Sequence, residues 1–249
     1  MTVVLVHGIP ETDAIWGPLV DALGRDDVVR LSPPGFGAPV PDGFGATYLD
    51  YRDWLERELE RFDEPVDLVG HDWGGGHVLN VAMHRPELLR TWASDVVGLF
   101  DPEYVWHDLA QVWQTPGAGE ELVEAMMGGT VEERSAQLAE LGLPADVATS
   151  LAEAQGPEMG RAILVLYRSA AQPVLRESGR GLGTAASRPG LSILATEDPY
   201  VGTDDMRRRA AERAGARTEV LEGLGHWWMV QDPALGAEVL TRFWETAAD

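Results

Sequence analysis

The sequence predicts an α/β fold, a mostly parallel sheet of about six strands with helices on both faces and one helical insertion. Three observations predict it. Short β-branched runs alternate with amphipathic helical stretches, the pattern left by successive βαβ units. The runs are apolar on both faces, as strands covered by helices on two sides should be. The alternation stops between roughly 101 and 187, where helical patterns, prolines and glycines continue without a clear strand.

The expected strands are Val3–Val6, Val28–Leu31, Val66–Val69, Thr91–Ser94, Leu191–Ala195 and Thr218–Leu221. Between the second and third, Tyr48, Tyr51, Leu55, Leu59 and Phe62 recur at helical spacing, with Arg and Glu on the opposite face. Asp232-Pro233 announces the last helix, an N-cap followed by proline at the first helical position. Its apolar stripe is Leu235, Val239, Leu240 and Phe243. Gly179–Pro189, rich in Gly, Ser, Ala and Arg, reads as a linker. The expected organisation is a core formed by 1–100 and 188–249, with 101–187 as a helical cap. The 249 residues suit one large α/β domain carrying an insertion. A chain of this size buries about three quarters of its unfolded surface and needs no disulfide or metal for stability.

Composition narrows the function classes. The formal net charge is −22, from 41 acidic and 19 basic residues, and every basic residue is arginine. Nucleic acid and anionic membrane would repel such a chain. There is no cysteine, hence no thiolate nucleophile, thiolate metal site or disulfide. No apolar run reaches the ~18 residues of a membrane span. The segment from Met1 to Gly8 lacks the basic start and small-residue cleavage site of a signal peptide, so a cytoplasmic enzyme is the default expectation. The oligomeric state is left open, with a homodimer as one option.

The strongest motif is Gly70-His71-Asp72-Trp73-Gly74-Gly75, between a strand and a helix. It follows the G-x-Nuc-x-G nucleophile elbow, with aspartate where a serine often sits. A strand that turns at once into a helix strains its central residue and leaves no room for side chains two positions away. The helix start is expected to favour the ionised carboxylate. A carboxylate can displace a leaving group from saturated carbon without prior activation. The resulting ester must then be cleaved by water at the Asp72 carbonyl, a step that requires a histidine base and an oxyanion hole. His226, in Leu224-Gly225-His226-Trp227-Trp228, lies in the loop after the last strand, where this fold order places the base. The other histidines follow a strand (His7), flank the elbow (His71) or sit on expected helices (His77, His84, His107). Asp198, leaving the strand Leu191–Ala195, is the expected orienting acid; Asp95 is a rival and Glu197 a weaker one. The backbone N–H groups of Ile9, in the turn His7-Gly8-Ile9-Pro10, and of Trp73 can form the oxyanion hole.

Together, the His7-Gly8-Ile9-Pro10-Glu11-Thr12 turn, the Asp-Trp elbow, Asp198 and His226 resemble the epoxide hydrolase and haloalkane dehalogenase branch of the α/β-hydrolase superfamily. The resemblance covers the core and matches the cap more loosely. It implies an α/β-hydrolase fold that begins at what resembles the third core strand, without the usual N-terminal hairpin. It implies an epoxide hydrolase, converting an epoxide to a diol through an alkyl ester on Asp72, with no cofactor and no metal. Cap tyrosines of such enzymes protonate the epoxide oxygen. Leu166-Tyr167-Arg168 is similar to the second such segment, and Tyr104 is a candidate for the first, although it falls earlier than the family position.

The alternative is a haloalkane or haloacid dehalogenase using the same Asp72. Trp106 resembles a halide-contacting tryptophan of haloacid-cleaving relatives, while Trp73 is shared by both chemistries. Fluoroacetate-type enzymes carry arginines where this chain has Trp73 and Gly76, and many haloalkane enzymes carry Asn where Ile9 stands. A non-catalytic ligand-binding member of the fold is the third reading, opposed by the presence of all three triad residue types. The expected substrate is a small apolar or aromatic molecule, in a pocket to which Trp73, Tyr104, Trp106, Trp113, Trp227 and Trp228 are candidate contributors.

Overall fold

The computed structural model describes residues 1–247. It contains one sheet of six strands: β1 Val3–Val6, β2 Val28–Leu31, β3 Val66–Gly70, β4 Leu89–Ser94, β5 Gly190–Ala195 and β6 Ala216–Leu221. Their order is β2-β1-β3-β4-β5-β6, and every pairing is parallel. This is the α/β-hydrolase architecture expected from the sequence.

Alternate residues of a strand face opposite sides, and here both sides are apolar. In β1, Val4 and Val6 enter one buried cluster while Val3 and Leu5 enter the other. The first cluster is completed by helices α2 (Tyr48–Leu59) and α3 (Trp73–His84), the second by α1 (Gly17–Leu23) and the C-terminal helix Pro233–Thr246. Two-sided burial holds for β1, β3, β4 and β5. The outer strands β2 and β6 keep partly exposed residues, because each has a neighbour on one edge only.

Between β4 and β5 the chain is helical: α4 Asp108–Gln114, α5 Ala118–Met127, α6 Val131–Glu140, α7 Ala145–Ala154, α8 Pro157–Ser169 and α9 Val174–Ser178. After β5 follow α10 (Asp204–Arg213), α11 (Trp228–Gln231) and α12, the C-terminal helix already described. Capping explains several helix starts. Thr47 and Thr130 form capping boxes with Asp50 and Glu133, and Asp232 accepts from the Leu235 N–H at 3.0 Å.

One expectation needs correction. Gly179–Ser187 is a 3₁₀ helix rather than an irregular linker. Leu182 and Ala185, three residues apart, both point inward and are fully buried. The Ala185 carbonyl also accepts the Trp92 indole N–H at 3.1 Å. Tertiary packing overrides the loop-like composition. No helix of the described residues is long and apolar enough to cross a membrane.

Candidate active site

The β3–α3 junction determines the site. Asp72 has φ +50° and ψ −128°, one of two non-glycine residues with positive φ among the described residues. Such a conformation costs ~1–3 kcal/mol and persists only where its surroundings enforce it. They do so here. A Cβ at Gly70 would strike the Gly74 carbonyl, and one at Gly74 would strike the Val6 carbonyl. The close crossing of α3 over β1 and β3 therefore depends on both glycines.

The turn after β1 completes one side. The Ile9 N–H donates to Asp72 Oδ1 at 2.9 Å. Trp73 is the first residue of α3, where backbone N–H groups lack helical partners. On the other side, Asp198 Oδ2 and His226 Nδ1 lie 2.9 Å apart, and Asp198 Oδ1 accepts the Tyr200 N–H at 2.9 Å. With Nδ1–H donated to Asp198, the neutral imidazole keeps Nε2 free as a base.

Asp95, the rival acid, does not contact His226. Its Oδ2 lies 2.5 Å from His71 Nδ1 and accepts the Trp228 indole N–H at 2.8 Å; its Oδ1 accepts the Asp72 backbone N–H at 3.0 Å. The second nitrogen of His71 lies 3.2 Å from Glu11 Oε1. Glu11 in turn accepts the Trp227 indole N–H at 2.6 Å and the Gly8 N–H at 3.1 Å. A buried Glu11–His71–Asp95 chain thus ties together the turn after β1, the elbow and the histidine loop. Sequence reading missed it, since its members lie 60 and 24 residues apart.

Electrostatics follow from these contacts. Burial pushes Asp72 up to about 6, against the pull of His226, His71 and the Ile9 amide. Desolvation is thus the largest influence on Asp72, one that the helix start visible in the sequence does not reveal. Burial and neighbouring His71 oppose the charge on His226, but Asp198 and Asp72 win and raise it above its ordinary value. Burial also opposes charge on His71, yet Asp95 and Glu11 hold it well above the usual range. Burial would raise Glu11, but His71 takes it down to about 2. Burial and the Asp72 charge keep Tyr167 a protonated phenol.

A cavity of about 290 Å³ opens onto Asp72 and His226. Its wall includes Ile9, Glu11, His107, Trp113, Tyr167, Tyr200 and Trp227. Tyr104, Trp106, Trp73 and Trp228, expected as pocket candidates, stand behind that wall. Tyr104 donates its hydroxyl to the Tyr200 carbonyl at 2.9 Å, and Trp106 stacks on Trp73 with centroids 5.6 Å apart. Trp228 is core, held by Asp95. His107 was not singled out beforehand. It caps α4 through Nδ1, which accepts the Ala110 N–H, so its Nε2 carries the proton. Burial first, and then nearby His226, lower His107 to about 4 and keep it neutral. Glu11, His71 and His226 bring potential metal-ligating atoms within 4.8 Å of one another. His71 is engaged through both nitrogens and held protonated, so it has no lone pair to offer a metal.

A strained elbow, a His–Asp pair and a turn amide directed at the elbow are the features of this hydrolase architecture. The model of the alpha/beta hydrolase family matches residues 3–239, and the chain belongs to that family. The AB hydrolase superfamily protein YfhM of Bacillus subtilis is 36% identical over 94 residues, 35% of this chain and 32% of that protein. The chain thus matches about a third of that relative's length. Among solved structures, haloalkane dehalogenase DbeA from Bradyrhizobium elkanii superposes with a TM-score of 0.75 at 18% identity, covering 100% of this chain and 91% of that one. An E-2-(acetamidomethylene)succinate hydrolase gives 0.74 at 20% identity, covering 98% and 91%. At such identities these structures share the fold, and their chemistries differ.

Proposed function

We propose that this hydrolase opens an epoxide to a diol through a covalent ester on Asp72. The observation that carries the proposal is the meeting, in one cavity, of a strained elbow carboxylate and a phenol held protonated by burial. In this reading an Asp72 oxygen attacks one epoxide carbon, the C–O bond breaks, and Tyr167 gives its proton to the departing oxygen. His226 Nε2 then takes a proton from water, with Asp198 holding the imidazole. The hydroxide attacks the Asp72 carbonyl carbon, and the Ile9 and Trp73 amides stabilise the oxyanion. Collapse releases the diol and leaves one water oxygen on Asp72, while the proton on His226 returns to the Tyr167 phenolate through water. The helices of 101–187 serve as the cap. Apolar wall residues such as Leu109, Trp113 and Met126 suit a substrate with an apolar body.

Dehalogenation is the second reading, supported by a buried indole N–H without an acceptor in the cavity wall, that of Trp113, with that of Trp106 behind it. A halide leaves as a stable anion and needs only such donors. The two are separated by assaying styrene-oxide-like epoxides and bromoalkanes with wild type, Tyr167→Phe, Trp106→Phe and Trp113→Phe. The proposal expects epoxide turnover, with alkyl-enzyme formation at least ~tenfold slower in Tyr167→Phe, within the range of general acid catalysis. Bromoalkane turnover that depends on the tryptophans and not on Tyr167 would replace it with the second reading.

A further inference from the structure

One cation of the cavity wall has no carboxylate partner. Arg134, in α6, is 8% exposed and lines the same cavity as Asp72. Buried arginines are ordinarily paired, because desolvating a guanidinium without an anion is costly. Among the described residues Arg134 takes part in no ion pair, although acidic residues outnumber basic ones by 41 to 19. Its partners are neutral carbonyls. Nη1 donates to Gly129 at 2.8 Å, Gly128 at 3.1 Å and Met127 at 3.3 Å, and Nη2 to Ala152 at 3.0 Å. They fix the guanidinium between the end of α5 and the end of α7, whose C-terminal dipoles offset its charge only in part. Its Nε–H is buried and has no acceptor. Gln137 and Gln155 stand in the same wall and supply further amide groups.

The cavity is therefore polar at two places, with Asp72, His226 and Tyr167 at one and Arg134 with the two glutamines at the other. Leu138 and Leu151 join the apolar wall around them. We infer that the substrate is an amphiphile with an anionic head, a carboxylate or a group of similar charge, held at Arg134 while its apolar body leads the electrophilic carbon to Asp72. This deepens the proposed function and rests on it for the identity of the reacting end. The head-group site itself rests on Arg134.

The wild-type protein provides the first test, without turnover. Hexanoate and hexanamide have similar size and differ in charge, and neither can be attacked by displacement. Binding is read at pH 8 by calorimetry, with competition against a styrene-oxide-like substrate where it is turned over. Net charge −22 and the Asp72 carboxylate both disfavour the anion, so a reversed order requires local cations or N–H donors, and the Arg134 variants below assign it. Hexanoate should bind roughly tenfold or more tightly than hexanamide, the scale of a hydrogen bond to a charged group. Equal binding, or tighter binding of hexanamide, overturns the inference.

Arg134→Met should abolish the preference, and Arg134→Lys should retain part of it. Because Arg134 also ties two helix ends together, a variant that fails to fold is replaced by Gln155→Leu, which leaves the cation in place. In that variant hexanoate should lose a few-fold in affinity while remaining preferred. A preference unchanged in a folded Arg134→Met places the anion elsewhere and also overturns the inference. If Asp72 forms no ester but hexanoate is still preferred through Arg134, the reaction assignment fails and the head-group site stands.

Discussion

Two histidine–carboxylate groups lie side by side under the cavity, with ring centroids 4.5 Å apart, and their surroundings assign them opposite tasks. His226 contacts one carboxylate and keeps the other nitrogen free, and its side chain is 10% exposed. His71 has a carboxylate on each nitrogen and is 0% exposed. The first can exchange a proton with water in the cavity. The second is a fixed cation between two fixed anions and so serves geometry. Under the proposed function, the number of acceptors and access to solvent make His226 the base and His71 a strut.

The comparison can be broken most directly at His226. His226→Gln should leave ester formation intact and slow its hydrolysis by ~10²–10⁴-fold, so the alkyl-enzyme accumulates. Mass spectrometry should find one adduct, on the peptide containing Asp72. An adduct elsewhere, or turnover surviving in Asp72→Ala, removes the proposed chemistry.

Next comes the exchange of acids. Asp198→Asn should slow ester hydrolysis by up to about 10⁴-fold, because the imidazole is then held in the wrong tautomer. Asp95→Asn should change the ratio of hydrolysis to formation little. It should instead cost ~3–5 kcal/mol of stability by breaking a buried ion cluster, lowering the melting temperature by roughly 2–4 °C per kcal/mol. Pre-steady-state rates and thermal melts on both variants check this. The opposite ranking of the rates would make His71 the working base.

A smaller effect is expected in the pH profile. Ester formation requires ionised Asp72 and should fall as pH drops through about 6. Hydrolysis requires neutral His226, whose charged form Asp198 favours, so this step should also fall as pH drops. Asp198→Asn should move the hydrolysis limb to lower pH. A limb that stays in place would mean that Asp198 does not set the charge of His226.

The smallest effect concerns acid stability. Glu11 titrates at about 2 in the folded chain against an ordinary 4.5. Its contribution is present above about 4.5 and is lost as pH falls toward 2. Denaturant melts of Glu11→Gln should therefore lose less stability over that interval than wild type does. An unchanged slope would mean that Glu11 is not ionised beside His71.

The strands were legible because β-branched runs bounded by turn residues carry a local signal, and the elbow because its glycines are required by steric contact. The pairing of His226 with Asp198 also followed chain order. Other features have no local signature. Asp95 stays a rival to Asp198 in sequence, since both leave a parallel strand at the same end of the sheet; its contact with His71, which diverts it, is seen only in the structure. The upward push of burial on Asp72 has no local signature, because burial under the α4–α8 layer is a property of the whole chain. Tyr104 and Trp106 were aromatic and near the right place, yet the first layer over Asp72 is made by Tyr167, Trp113 and His107 instead.

The six helices of 101–187 leave the sheet after β4 and return at β5, and these strands are hydrogen-bonded neighbours, with Trp92 opposite Gly190 and Ser94 opposite Ser192. Departure and return thus adjoin. An excursion with adjoining ends places little demand on its own length, since closing a loop of twice the size costs only about 0.6 kcal/mol more. Helices there can be lengthened, shortened or exchanged while Asp72, Asp198 and His226, all outside that stretch, keep their spacing. In the proposed chemistry every reacting group except Tyr167 thus stands apart from most of the wall that meets a substrate, so the range of accepted molecules can drift over generations without disturbing the elbow.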